Sequence, residues 1–313
     1  MTRSTLVTGG AGFIGSHLVD ALLERGDRVT VLDDLSTGRW ENLAGALNRG
    51  ARFHPASVTD AAAVDRVCAD ARPDLVLHLA AQIDVRHAVA DPARDATVNV
   101  IGTVTVLDAA LRHNVGRVVL ASTGGAIYGD ADDVPTPETA PPRPASPYAA
   151  SKAAAETYME LYWQLHGLST FTLRLANVYG PRQAGGEAGV IAIFCTRAAA
   201  GEPVTIYGDG GQTRDFVYVG DVVDAFLRAA DHEGVGRCNI ATGRETSVLA
   251  LARELGVRTR FEPDRPGEVR RSCLDPAVAA QQLGWRPATT LMEGLRRTLT
   301  HAEPAERRLI SAR

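Results

Sequence analysis

Lysine is almost absent from this chain: of its 33 basic residues one is lysine, Lys152, and the rest are arginine. Cysteine is scarce as well. Cys68, Cys195, Cys238 and Cys273 stand far apart and form no CxxC pair, which argues against a disulfide framework and against a metal site. They read as packing residues. No apolar run approaches the ~20 residues of a membrane span, and residues 1–7 lack the apolar stretch of a signal peptide. The expectation is a cytoplasmic protein. An excess of charge of one sign is also missing: 33 Lys+Arg against 37 Asp+Glu leave a net −4, which offers no overall attraction to nucleic acid or an anionic membrane. What is present is 45% hydrophobic residues over 313 positions, enough for a substantial core and unlike a disordered chain.

The first half alternates short apolar runs with helical patterns. Strands are expected at 6–8, 29–32, 75–79, 118–121 and 171–175, with helices at about 14–24, 61–68, 93–113 and 148–166. Nearly all-apolar strands alternating with helices imply an α/β fold, a doubly wound parallel (Rossmann) sheet covered on both faces. Beyond residue 177 the alternation fails, and a second, smaller mixed α/β domain is expected. Ligands of such sheets bind beyond the carboxyl ends of the strands, so motifs that directly follow strands deserve the closest reading.

Thr8-Gly9-Gly10-Ala11-Gly12-Phe13-Ile14-Gly15 lies between the first strand and the first helix. Gly9, Gly12 and Gly15 form GxxGxxG, a variant of the loop that brings backbone close to a pyrophosphate and aims a helix N-terminus at it. The second strand ends in Asp33, 21 residues beyond Gly12. A carboxylate there accepts hydrogen bonds from an adenosine ribose and repels a 2′-phosphate. Loop and acid together point to NAD.

Tyr148-Ala149-Ala150-Ser151-Lys152 opens a helix after Ser146-Pro147, and the YxxxK spacing puts phenol and ammonium on one face. A phenol of pKa ~10 is a poor base at neutral pH unless a nearby cation favours its anion. YxxxK alone is weak evidence. That it holds the chain's one lysine makes it strong, because a compact ammonium does what a guanidinium cannot.

With these motifs the chain resembles the extended short-chain dehydrogenase/reductases, and within them the UDP-glucose 4-epimerases. TGGAGFIGSH at 8–17 and YxxxK carry the wider likeness. Residues 33–38 (DDLSTG) and 214–219 (RDFVYV) look like nucleotide-sugar members, and 176–183 (ANVYGPRQ) with 186–190 (GEAGV) like bacterial 4-epimerases. The resemblance implies NAD contacts from Gly9, Gly12, Phe13, Ile14, Asp33, Leu35, Ser36, Thr37, Gly38, Val58, Leu79, Ala80, Ala81, Asn99, Tyr148, Lys152 and Ala176. It implies that a UDP-sugar meets Asn177, Val190, Tyr207, Arg214, Arg265 and Glu268, and that Ser272, four positions after Glu268, borders the sugar's 2-substituent. It divides the chain into an NAD-binding domain at 1–176, to which the chain returns near 215–236, a nucleotide-sugar domain at 177–214 and 237–302, and a tail at 303–313. A homodimer packed through the helices near 93–113 and 148–166 is also implied.

Three positions depart from the family pattern. The usual Ser or Thr partner of the catalytic Tyr falls on Gly124, so Thr123 is expected to take the role, with Ser122 beside it. Ser57 stands where many relatives carry an Asp on the adenine. Ile83 replaces a Lys of some relatives, and Gln82 is its candidate substitute. The implied reaction uses Tyr148 as base, Lys152 as its electrostatic support and Thr123 to orient the hydroxyl. Competing readings are a 4,6-dehydratase, which places an acid/base pair where Gly124-Gly125 stand, a UDP-glucuronate 4-epimerase, and a dinucleotide-sensing regulator, a class that often lacks the Tyr/Lys pair.

Overall fold

The computed structural model describes residues 2–183, 189–264 and 269–302. The apolar runs become strands β1 (Ser4–Thr8), β2 (Arg28–Asp33), β3 (Arg52–Pro55), β4 (Leu75–His78), β5 (Arg117–Thr123) and β6 (Thr170–Leu175). The chain then leaves the sheet to form β7 (Asn177–Tyr179), β8 (Val204–Tyr207), β9 (Thr213–Arg214) and β10 (Phe216–Tyr218). Helix Val219–Asp231 brings it back against helix Phe13–Arg25, and β11 (Gly236–Ile240) adds to the edge at β6. The result is a seven-stranded, all-parallel sheet in the order β11-β6-β5-β4-β1-β2-β3, the Rossmann-like arrangement expected.

Both faces of this sheet are dry, because alternate residues of each strand supply opposite cores. Val7, Val31, Leu77, Val119 and Phe171 pack with Leu18, Leu22 and Phe226 on one side. Leu6, Leu32, Val76, Val118 and Leu120 pack with Val64, Leu107 and Met159 on the other. All four cysteines are buried and unbridged, as packing residues should be.

The remaining strands are short: β12 (Thr246–Ser247), β13 (Thr259–Glu262) and β14 (Arg271–Ser272). β13 runs parallel to β8, while β9 lies between antiparallel β12 and parallel β14. A separate apolar cluster, including Tyr179, Phe194, Ile206 and Leu251, holds this part together.

One expected element differs. The helix foreseen over 93–113 is broken into Pro92–Ala96, a π-helical turn at Thr97–Ile101, and Gly102–Arg112. Apolar periodicity cannot reveal the extra residue such a turn inserts. The turn carries Asn99, whose side chain is clamped to the backbone of Gln82. By contrast, helix Pro147–His166 starts where its signals say: Ser146 Oγ accepts from Ala149 N and a proline fills the first turn.

Candidate functional site

Because all seven strands are parallel, Thr8, Asp33, His78, Thr123 and Leu175 end at one edge of the sheet. The glycine loop sits there, and two of its glycines are obligatory. Gly9 has φ +70°, and a Cβ on it would lie 2.6 Å from Ala80 N. A Cβ on Gly15 would lie 2.1 Å from the Gly9 carbonyl oxygen. Gly12 precedes helix Phe13–Arg25 and no side chain caps that terminus, a cradle suited to a phosphate.

Asp33 is nearly inaccessible and has a second job that the sequence did not show. Its Oδ2 accepts from Ala11 N (2.9 Å) and its Oδ1 from Leu35 N (2.8 Å). The carboxylate therefore staples the glycine loop to the turn after β2. Burial raises its pKa, and these two N–H donors work against the rise.

Thirteen of the expected cofactor residues line one cleft: Gly9, Gly12, Phe13, Ile14, Asp33, Ser36, Thr37, Val58, Leu79, Ala80, Ala81, Tyr148 and Lys152. Leu35, Gly38, Asn99 and Ala176 are not on its wall. Leu35 and Gly38 shape the turn around Asp33, where a Cβ on Gly38 would meet Asp33 Oδ1 at 2.8 Å. Asn99 holds the segment after β4, and Ala176 N donates to the Ile240 carbonyl. The suggested stand-in Gln82 is also committed elsewhere. Its Nε2 donates to Asp95 Oδ1 and its Oε1 accepts from Asp84 N. Ile83 does line the cleft, as do Ser57, Arg39, Asn42, Arg182 and Gln183, to which no role was assigned from sequence. Arg182 and Gln183 stood inside a recognised motif; Arg39 and Asn42 gave no signal.

At the inner end of the cleft Tyr148 and Lys152 lie one helical turn apart, and the Thr123 side chain at the end of β5 stands near enough to the Tyr148 phenol to favour its ionised form. Ser122 is used differently: its Oγ donates to Glu156 Oε1 at 2.5 Å. The geometry thus brings Thr123, not Ser122, to the phenol. A Cβ on Gly124 would stand 2.3 Å from Leu274 Cδ1, so a serine or threonine at that position requires the Leu274 side chain to move.

The charges around this centre are largely out of water. Burial pushes the Tyr148 phenol up to about 12; the Thr123 side chain opposes this, while the charge of Asp95 adds to it. Burial pushes the Lys152 ammonium down to about 8, against the pull of Glu156 and Asp95. Asp95 is fully buried and accepts from Ser151 Oγ at 2.5 Å. His78 nearby is pushed down to about 3 by burial and stays neutral between Thr8 and Thr103.

In the helical turn that follows Thr123, Gly125 has Asn177 and Ser272 as neighbours. A Cβ on Gly125 would lie 3.5 Å from Asn177 Oδ1 and 4.0 Å from Ser272 Oγ. Ser272 stands opposite Arg214 in the β14–β9 pairing. Val190 opens helix Val190–Ala200, and Tyr207 ends β8, its carbonyl accepting from Gln212 Nε2. Arg265 and Glu268 lie outside the described residues.

Comparison with known proteins agrees with this geometry. Residues 5–241 match the family model described as the NAD dependent epimerase/dehydratase family. A UDP-glucose 4-epimerase of Mycolicibacterium smegmatis is 49% identical over 304 residues, covering 94% of this chain and 97% of that protein. The crystal structure of a Thermotoga maritima UDP-glucose 4-epimerase with UDP-glucose superposes with TM-score 0.93 at 45% identity, covering 98% of this chain and 99% of the other. A Thermus thermophilus UDP-glucose 4-epimerase in complex with NAD gives TM-score 0.88 at 45% identity, over 96% and 99%. The chain belongs to the NAD dependent epimerase/dehydratase family. Within that family it is an isomerase of the nucleotide-sugar 4-epimerase type, with NAD as its cofactor.

Proposed function

We propose that the chain interconverts UDP-glucose and UDP-galactose by reversible, NAD-dependent epimerisation at C4. The observation that carries this reading is the Thr123 side chain placed at the Tyr148 phenol, with Lys152 one turn away on the wall of a glycine-loop cleft. The cleft fits the cofactor: Gly9 and Gly15 leave only enough room for backbone, the helix terminus at Phe13 is uncapped, and Asp33 ends β2. Gly9, Gly12, Phe13, Ile14, Asp33, Ser36, Thr37 and Val58 hold the adenosine diphosphate half. Residues 79–81, Lys152 and their neighbours enclose the rest.

Bound NAD supplies the acceptor, and on return the donor, of the hydride at the sugar's C4. Tyr148 Oη takes the proton of the 4-hydroxyl and later gives it back. Lys152 favours the phenolate electrostatically, and Thr123 fixes the hydroxyl's direction. Arg214, with Arg265, pairs with the diphosphate, for which a guanidinium fork is suited. The 4-keto sugar turns about its bond to that anchored diphosphate, so Tyr148 meets either face with one geometry. No net redox results. A dehydratase needs an acid/base pair after Thr123, and Gly124-Gly125 supplies none.

In this reading residues 1–176, with the return at 215–236, hold NAD, while 177–214 and 237–302 hold the sugar nucleotide. Two copies pair through the helices near 93–113 and 148–166, which expose Ile101, Leu111, Tyr158, Leu161, Trp163 and Leu165. An apolar patch of this kind marks an interface. Among the described residues no helix is long and apolar enough to cross a membrane, and we place the enzyme in the cytoplasm.

Incubation of the purified protein with UDP-glucose, followed by proton NMR, is expected to give a mixture with UDP-galactose. A 4-keto-6-deoxy product, or no conversion, overturns the reading. The cofactor is tested by binding to cofactor-free protein. NAD is expected to bind at least about tenfold more tightly than NADP, or ~1.4 kcal/mol, because the buried Asp33 carboxylate opposes a 2′-phosphate. Equal affinities would rule that out.

A further inference from the structure

We infer that Asp215 is the positioning residue of the sugar-nucleotide pocket, the joint that sets Arg214, Asn177 and Ser272 relative to one another. This rests on the substrate reading above. From sequence Asp215 is only the residue after Arg214 in the 214–219 motif; in the structure it is 1% exposed. Its Oδ1 accepts from Thr242 N at 2.9 Å and Thr242 Oγ1 at 2.6 Å, and its Oδ2 from Gly243 N at 2.9 Å. Cys273 Sγ and Leu274 N each stand 3.5 Å from the same Oδ2. Its backbone carbonyl accepts from Asn177 N at 2.9 Å.

These bonds gather four chain segments, and three of them carry pocket residues. Arg214 precedes Asp215 directly. Asn177 hangs from its carbonyl. Ser272 adjoins Cys273, and lies opposite Arg214 in the β9–β14 pairing. That pairing cannot fix their positions alone, since β9, β12 and β14 have two residues each and so short a ladder is marginal in water. A carboxylate taking several N–H and O–H donors in a dry site is the stronger fastener. The same anchor holds Leu274, whose side chain fills the space over Gly124 next to Thr123.

Asp215→Asn keeps the shape and removes the charge. Its amide oxygen can still face Thr242, but the NH2 then meets the Gly243 N–H, donor against donor, and frees the 243 and 273–274 segments. Calorimetric affinity for UDP and the KM for UDP-glucose are each expected to worsen by about tenfold or more, with kcat at saturation within about threefold of wild type. NAD affinity should not change, because the glycine loop and Asp33 are untouched. Thr242→Val removes one donor and keeps the carboxylate, so it should weaken UDP binding by a smaller factor, about two- to fivefold. Wild-type UDP affinity and KM in Asp215→Asn overturn the inference, as does a parallel loss of NAD and UDP binding with a lowered melting point, which marks a merely structural role. If Asp215→Asn does not fold, unchanged UDP affinity in Thr242→Val overturns it instead. A wild type that binds UDP yet converts no UDP-sugar overturns the proposed reaction, not the role of Asp215.

Discussion

Tyr148→Phe is expected to lower epimerase turnover by about 10²-fold or more, the range for loss of a positioned acid/base, while NAD binding and the folded spectrum stay as in wild type. The ring is kept, so packing at the start of helix Pro147–His166 survives. What goes is the hydroxyl that stands at Thr123. The pH dependence separates this from a general disturbance. The base must lose its proton to act, and burial holds the phenol near 12 in the bare protein, so kcat/KM should rise with pH along an acid limb. Lys152 must keep its proton, and burial holds it near 8, so the rate should fall on the alkaline side. The two groups interact, and the limbs belong to the pair. Tyr148→Phe should have no acid limb. Lys152→Arg should fail as well, since a planar guanidinium cannot take the ammonium's place in a dry site beside Asp95 and Glu156. Near-normal turnover in the Arg variant would reduce the solitary lysine to an accident.

The features legible in the sequence are those encoded over a few residues. GxxGxxG, the acid at the end of β2 and YxxxK are each local, and strand–helix alternation is local too. Features that depend on distant partners were not. Glycine at 124 looked like a lost hydroxyl, and only the fold shows that the Leu274 side chain packs over it. Asp215 sat unmarked inside the 214–219 motif, and only the fold brings the 242–243 turn and the segment after β14 onto it. Thr123 was the expected partner with Ser122 beside it, but the reason lay elsewhere: Glu156, paired with Arg174, claims Ser122 and leaves Thr123 to the phenol. The π turn at Thr97–Ile101 carries a clamp on Gln82 that no periodicity reports.

Substrate breadth gives the other large effect. Ser272 Oγ lies 4.0 Å from the point where Gly125 would carry a Cβ, next to Asn177. In the proposed pocket, a side chain this small beside the sugar leaves room for a 2-N-acetyl group. UDP-GlcNAc and UDP-GalNAc are therefore expected to interconvert at rates within about tenfold of the glucose/galactose pair, a difference of roughly 1.4 kcal/mol in transition-state stabilisation. Ser272→Tyr places a phenol ring in the same space. It should cut turnover of the N-acetylated pair by about 10²-fold or more through steric exclusion and spare the unsubstituted pair, whose C2 hydroxyl needs no such room. The comparison is internal, because both pairs share Tyr148, Lys152, the cofactor and the diphosphate anchor. Equal damage to both pairs would mean that the ring disturbs β14 and Arg214 rather than the sugar, and a wild type confined to UDP-glucose and UDP-galactose would mean that some other side chain closes the site.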